Sequence, residues 1–183
     1  MTGLCISGPT ALYSLAVRVR PDLTHLLLDR NRSLIDALAP GLPEPHAAAC
    51  VDLVIASVGR GAMGAAILDP PWYPRDTVIF LQAATRCCAP GARLILCQPT
   101  LATRPGVQAE RDELRRQAAA MGLEVTQLLP SFIRYETPHF EAMSLRATLG
   151  GFPIPRDWRT GDVMILTKRQ DVDCVPASAP AAE

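Results

Sequence analysis

A surplus of charge of either sign is the first thing this sequence lacks: Lys and Arg total 18, Asp and Glu total 18, and the pI is near 6.8. Gripping bare duplex through its phosphates needs a basic footprint, so the balance argues against a stand-alone duplex-binding protein while leaving room for a local basic patch. Aromatic residues are also scarce, at 5% against 49% apolar residues in all, so the core has to be aliphatic, built from Leu, Val, Ile and Ala. No apolar run approaches the ~20 residues of a membrane-spanning helix, and no basic region followed by a signal-like apolar block opens the chain. These absences lead us to expect a soluble, cytoplasmic protein. The six cysteines, Cys5, Cys50, Cys87, Cys88, Cys97 and Cys174, form no C-x-x-C pair, and most sit in apolar stretches. They read as reduced, buried thiols. His25, His46 and His139 stand far apart, which favours satisfied or exposed histidines over metal ligands, and we expect no metal. The absence of a G-x-S-x-G pattern removes the commonest hydrolase reading.

What is present centres on Asp69-Pro70-Pro71-Trp72, followed by Tyr73. The apolar run Ala65-Ala66-Ile67-Leu68 leads into it and a helical pattern resumes after Pro74, so the tetrapeptide should lie where a buried strand ends. Open α/β sheets keep their sites at such strand ends. Two consecutive prolines lack backbone N–H groups and hold φ fixed, so a stiff turn presents the Asp carboxylate and proline carbonyls as acceptors without competing donors. The Trp72 indole beside it can stack on a flat ring. The plainer alternative is that Pro-Pro merely breaks the chain after a strand and Trp72 fills a gap in the core.

Strands and helices alternate along the chain. Leu4 to Ser7 reads as a short buried strand, Gly8-Pro9 as a tight turn, and Ala11 to Val19 as a helix capped by Thr10. Thr24 to Asp29 reads as the second strand. Asp29 stands about 20 residues after Gly8, the separation at which a βαβ nucleotide-binding unit places its ribose-binding acid. A surface Asp29 capping the helix that follows is the alternative. Arg30 to Leu38 reads as a short helix, and His46 to Ile55 as a third strand with Asp52 near its end, helix being an alternative for the alanines. Arg75 to Cys88 and Val107 to Met121 carry helical spacing, and Arg93 to Cys97 reads as the strand between them.

The exit from that strand holds Thr103 and Arg104, the latter suited to an anion, with a Pro/Gly-rich connection carrying an exposed Arg as the equal alternative. Leu123 to Leu129 begins another strand, followed by a segment dense in recognition groups, including Tyr135 and Glu136. Residues 150–159 read as an irregular loop containing Trp158, and Asp162 to Thr167 as the last strand. A strand, a short loop and a strand predict a C-terminal antiparallel hairpin on an otherwise mostly parallel sheet. The length suits one domain, residues 1–169, with 170–183 expected as a disordered tail rich in Ala, Pro, Ser and acids.

Gly8-Pro9 at the first turn, Asp29 after the second strand, Asp69-Pro70-Pro71-Trp72 after the fourth and a terminal hairpin together resemble the S-adenosylmethionine-dependent methyltransferases of the amino-methylating kind. The tetrapeptide matches their [DNS]-P-P-[YFW] signature, in the DPPW form typical of enzymes that methylate the N6 amino group of adenine. The resemblance implies an α/β, Rossmann-like methyltransferase fold with S-adenosyl-L-methionine as cofactor. It implies that Gly8 and Pro9 border the methionine part, that Asp29 holds the ribose, and that Asp52 reaches the cofactor adenine. The substrate it implies is an exocyclic amino group of a nucleobase in unpaired nucleic acid, or of a nucleotide-like molecule. Asp69, Pro70, Pro71 and Trp72 are then the catalytic residues, with Tyr73, Arg104, Tyr135, Glu136 and Trp158 as candidates to bind substrate. The chain departs from the family in having a single glycine, not G-x-G, at the first turn, and we expect no target-recognition domain within these residues. The rival expectation is therefore a catalytically silent subunit that binds a partner protein or nucleic acid, and an active enzyme would take its target recognition from a protein partner.

Overall fold

The computed structural model describes residues 3–53, 61–136, 139–150 and 159–172. Among these residues, seven strands and five α-helices run in the order β1 (Gly3–Ser7), α1 (Thr10–Val19), β2 (Thr24–Asp29), α2 (Arg32–Leu38), β3 (Ala47–Cys50), β4 (Met63–Leu68), α3 (Pro74–Cys87), β5 (Cys88–Pro99), α4 (Val107–Ala120), β6 (Leu123–Tyr135), α5 (His139–Leu149) and β7 (Arg159–Lys168). The strands form one sheet in the order β3-β2-β1-β4-β5-β7-β6. The first five in that order are parallel to one another, and β7 runs antiparallel to both β5 and β6. The expected α/β architecture, mostly parallel with an antiparallel C-terminal pair, is the architecture observed.

The two-residue period of the strands divides the core. Ile6 and Leu27 pack with Tyr13 of α1 and Ile35 of α2 on one face. Cys5, Leu28, Ala66, Leu68, Leu94, Leu96 and Leu166 pack with α3 and α4 on the other. Each parallel crossover is forced to one hand, so α1 and α2 carry the chain from β1 outward to β3, while α3 and α4 carry it from β4 the opposite way. β1 and β4 are neighbours, paired Ser7 to Leu68, and the direction of winding reverses between them. The crevice at their carboxyl ends is the place such a sheet offers a ligand.

Several local expectations needed correction. Thr10 is the first residue of α1 and not its cap; the cap position is Pro9 and carries no side-chain bond. β3 ends at Cys50, which leaves Asp52 in the loop beyond it, and the Ala47–Ala49 run is strand, since its neighbour β2 supplies the pairing that the alanines alone do not dictate. β5 begins at Cys88, five residues before Arg93. β6 and β7 are not joined by a short loop: β6 runs on to Tyr135 and α5 intervenes. In α5, Met143, Leu145, Ala147 and Leu149 alternate in sequence, a period-2 pattern that hides a helix. The 173–183 part of the expected tail, and Trp158, lie outside the described residues.

Two buried cations knit the frame. Lys168 Nζ donates to the carbonyls of Thr85 (2.6 Å) and Cys88 (2.7 Å), satisfying acceptors at the C-terminal end of α3. Arg111 of α4 pairs with Asp162 of β7 at 2.7 Å, with only 5% and 4% of the side chains exposed. No helix among the described residues is long and apolar enough to cross a membrane. His25 and His46, distant in sequence, stack with ring centroids 5.1 Å apart. His25 Nε2 shares a hydrogen bond with the Arg20 carbonyl, and the described residues hold no group of three or more His, Cys, Asp or Glu suited to a metal.

Candidate active site

The site begins with the contact between the ends of β1 and β4. The Asp69 amide donates to the Ser7 carbonyl at 3.1 Å, which continues the parallel ladder one residue past Leu68. Gly8 then turns with φ +102°, and a Cβ built on it would fall 2.6 Å from the Asp69 carbonyl oxygen. Gly8 is thus required by the neighbouring backbone, in a conformation that L side chains avoid. It is what lets the Asp-Pro-Pro-Trp turn lie directly against the first crossover.

A cavity of about 220 Å³ opens at this junction. Gly8, Asp29, Asp52 and Asp69 all line it, as does Pro71. Residues distant in sequence therefore converge at the switch point of the sheet. Asp29 is already anchored: its Oδ1 accepts from the Asn31 amide at 2.8 Å and its Oδ2 from Thr10 Oγ1 at 3.5 Å. Each oxygen keeps a second lone pair for an incoming hydroxyl. Pro9 sits at the start of α1, where its carbonyl accepts from the Leu12 and Tyr13 amides. Leu28, Leu53, Ile79 and Phe80 supply apolar wall. Ser7, Arg30 and Asp76 join the lining without a sequence motif to mark them. Ser7 Oγ is buried, at 3% residue exposure, and has no hydrogen-bond partner. An orphan hydroxyl on a cavity wall marks a place where a polar ligand atom would be stabilised.

Asp69 is half-buried, and its Oδ1 accepts a 2.9 Å hydrogen bond from Tyr135 Oη. Burial raises the Asp69 carboxyl above its ordinary value, opposed by hydrogen bonds from Tyr135 and from Cys97. The Tyr135 phenol is also pushed up, by burial first and by the Asp69 charge second. Burial pushes the Cys97 thiol up to about 12. Asp69, Tyr135 and Cys97 thus form one cluster, of which Cys97 carried no signal beyond being an apolar-strand cysteine.

Trp72 and Tyr135 form a T-shaped pair with a centroid distance of 5.2 Å and an interplanar angle of 83°. The Arg159 guanidinium carbon stands 5.4 Å from the Trp72 ring centroid, over its face. The close approach of these groups depends on Gly161: a Cβ there would stand 3.0 Å from Tyr135 Cε2 and 3.2 Å from Trp72 Cζ2. Arg104, singled out in the sequence for an anion, donates to the Trp72 carbonyl at 2.8 Å and pairs with Glu110 at 2.6 Å. It fastens the turn to α4. The Pro71 carbonyl accepts from the Tyr73 amide at 2.7 Å. Pro70 is buried, Tyr73 is 67% exposed, and Glu136 is exposed at the end of β6. Trp72 and Tyr73 lie outside this cavity's lining and border a second one of about 280 Å³, which runs along α3 and α4.

No protein-family model matches the sequence, and no curated protein matches it in sequence. Solved structures do match its fold. The branched-chain polyamine synthase of Thermus thermophilus, solved with N4-aminopropylspermidine and 5'-methylthioadenosine, superposes with a TM-score of 0.77 at 18% identity over 96% of this chain. This chain spans 53% of that protein's length. A 16S rRNA adenine methyltransferase of Catenulisporales acidiphilia, solved with S-adenosylmethionine, superposes at 0.64 with 15% identity, covering 95% of this chain and 88% of its own. A methyltransferase from a complex with the Haloferax volcanii Trm112 activator superposes at 0.62 with 14% identity, covering 92% and 83%. The chain therefore has the Rossmann-like fold of the S-adenosylmethionine-dependent methyltransferases.

Proposed function

We propose that this protein is an S-adenosylmethionine-dependent methyltransferase acting on an exocyclic amino group, of a nucleobase in unpaired nucleic acid or of a nucleotide-like substrate. The observation that carries the reading is the convergence of Gly8, Asp29, Asp52 and Asp69 on one cavity at the switch point of the sheet. The residues present fit the cofactor. Asp29 keeps lone pairs for ribose hydroxyls, the Ser7 hydroxyl awaits a polar partner, and Leu28, Leu53, Ile79 and Phe80 wall the space a purine would fill. The bound cofactor supplies a sulfonium methyl, an electrophile that needs no metal.

The chain's own task is then to make a poor nucleophile attack. The lone pair of an amine conjugated to a heteroaromatic ring is delocalised into that ring. Acceptance of its two N–H groups by the Asp69 carboxylate and the Pro70 carbonyl favours a pyramidal nitrogen and stabilises the positive charge that grows on it. Because Asp69 is half-buried, the interaction acts in a medium where charge is poorly screened. Trp72, fixed between Tyr135 and Arg159, borders the place of the substrate ring and fixes the line of attack. A base within a polynucleotide has to be unpaired or flipped to reach such a recess. Target choice falls to a partner protein, consistent with the likeness to a methyltransferase that is held by an activator.

A second reading is favoured by the charge of the lining. Asp29, Asp52, Asp69 and Asp76 face the cavity, and among the described residues Arg30 is its one basic residue. Such a wall suits a sulfonium donor without a carboxylate and an aliphatic amine as acceptor. The likeness to a polyamine synthase holding 5'-methylthioadenosine, the residue left when a sulfonium gives up a group other than methyl, supports the same chemistry.

Calorimetry decides among these. Micromolar binding of S-adenosylmethionine, with methyl transfer lost in Asp69→Ala while the cofactor still binds, is the expected result. Preference for the decarboxylated donor turns the assignment to the second reading. Binding of neither leaves a silent subunit, and retained methyl transfer by Asp69→Ala refutes the role given to Asp69.

A further inference from the structure

The route by which Tyr135 reaches Asp69 is itself built. In a regular ladder from the Leu129–Val163 pair, Ser131 would oppose Gly161, and Tyr135 would run two residues past Arg159. The observed register pairs Ile133 with Gly161 and Tyr135 with Arg159, so β6 holds two extra residues between Leu129 and Ile133. Ser131 in that bulge has φ +50°, in the left-handed region that a non-glycine residue occupies only when held there. It is held: its amide donates to Asp162 Oδ1 at 2.7 Å, while Asp162 Oδ2 takes Arg111 Nη2 at 2.7 Å. The same guanidinium nitrogen of Arg111 donates to the carbonyl of Pro99, the last residue of β5, at 2.7 Å. A buried ion pair thus pins the bulge that draws Tyr135 back over the site, and Gly161 leaves room for the ring.

We propose that Tyr135 is a positioning residue for Asp69, and that the Arg111–Asp162–Ser131 network sets Tyr135 in place. The Tyr135 hydroxyl holds Oδ1 and so fixes the rotation of the carboxylate, aiming its remaining lone pairs at the amine. Trp72, T-shaped to the same ring, keeps a defined angle to the carboxylate it works beside. The catalytic importance of this arrangement rests on the reading of Asp69 as the amine acceptor, whereas the arrangement itself does not. A hydrogen bond to the charged form favours that form, so Tyr135 also keeps a half-buried carboxyl ionised against the effect of its burial.

The test is a pH titration of the intact protein labelled with carboxyl-13C aspartate, the Asp69 resonance being assigned by its loss in Asp69→Asn. Tyr135→Phe removes one hydroxyl and keeps the ring. Its Asp69 midpoint is expected to move up, with S-adenosylmethionine affinity by calorimetry unchanged. Asp162→Asn, which weakens the clamp on the bulge, is expected to move the midpoint the same way by less. Where amine methylation is detected, Tyr135→Phe lowers kcat about tenfold, the cost of one misaligned hydrogen bond, and leaves KM for the cofactor unaltered. An Asp69 midpoint that stays or falls in Tyr135→Phe overturns the proposal, whatever the activity. A midpoint that rises in a protein that methylates no amine leaves the positioning intact and overturns the reading of Asp69 instead.

Discussion

Gly8→Ala probes the contact on which the whole site is built. The substitution meets two costs that can be told apart. At φ +102° an alanine sits in a region costing about 1–3 kcal/mol. Its Cβ would also fall 2.6 Å from the Asp69 carbonyl oxygen, well inside van der Waals contact, and the obstacle is backbone, so the Asp-Pro-Pro turn itself must shift. Forced overpacking of this kind adds about 1–3 kcal/mol. The total, about 2–6 kcal/mol, is a large share of the ~5–15 kcal/mol that stabilises a typical domain. Gly91→Ala isolates the first cost, because Gly91 has φ +86° with nothing within 4 Å of an added Cβ. In urea unfolding with a common m-value, Gly8→Ala should lose at least ~1 kcal/mol more than Gly91→Ala. It should also weaken cofactor binding, which Gly91→Ala should leave alone. Equal losses in the two variants would refute the claim that β1 and β4 meet through this glycine.

Two further outcomes follow from the buried charges. Lys168→Met leaves the Thr85 and Cys88 carbonyls without their shared donor, and should cost about 2–4 kcal/mol in urea unfolding, against ~0.5 kcal/mol or less for exposed Arg169→Met. Asp69→Asn should raise the melting temperature at neutral pH. The Asp69 carboxyl is raised above its unfolded value, so the native state loses stability as pH climbs from the unfolded pKa to the folded one. Asparagine removes that loss, and the gain over wild type should vanish on acidification below the ordinary carboxylate range; a gain that persists there would place its cause elsewhere.

Much of the fold was legible because its signals are local. The short apolar run that opens at Leu4 and the helical spacing of Val107–Met121 are properties of a few consecutive residues, and the rule that sites lie at strand ends put Asp69 at the end of the fourth strand. Gly8, Asp29 and Asp52 were likewise found as single residues after successive strands. α5 was not legible, since its apolar residues alternate. The sequence around Arg104 suits either an anion or an exposed connection; its bonds to Trp72 and Glu110 depend on where α4 packs, 6 residues on in sequence for Glu110 but 32 back for Trp72.

By itself, then, the sequence determined the succession of elements apart from α5, the stiff acceptor turn after the fourth strand, and an acid at the end of the second. Only the tertiary structure decided that Gly8 serves the neighbouring turn, that Cys97 and Tyr135 stand at Asp69, and that a two-residue bulge clamped by Arg111 and Asp162 brings Tyr135 there. The reason is physical. Periodicity and turn chemistry act over a few residues, whereas strand register, close backbone approach and buried pairing are settled by partners 51 residues apart, as in Arg111–Asp162, or 66 apart, as in Asp69–Tyr135.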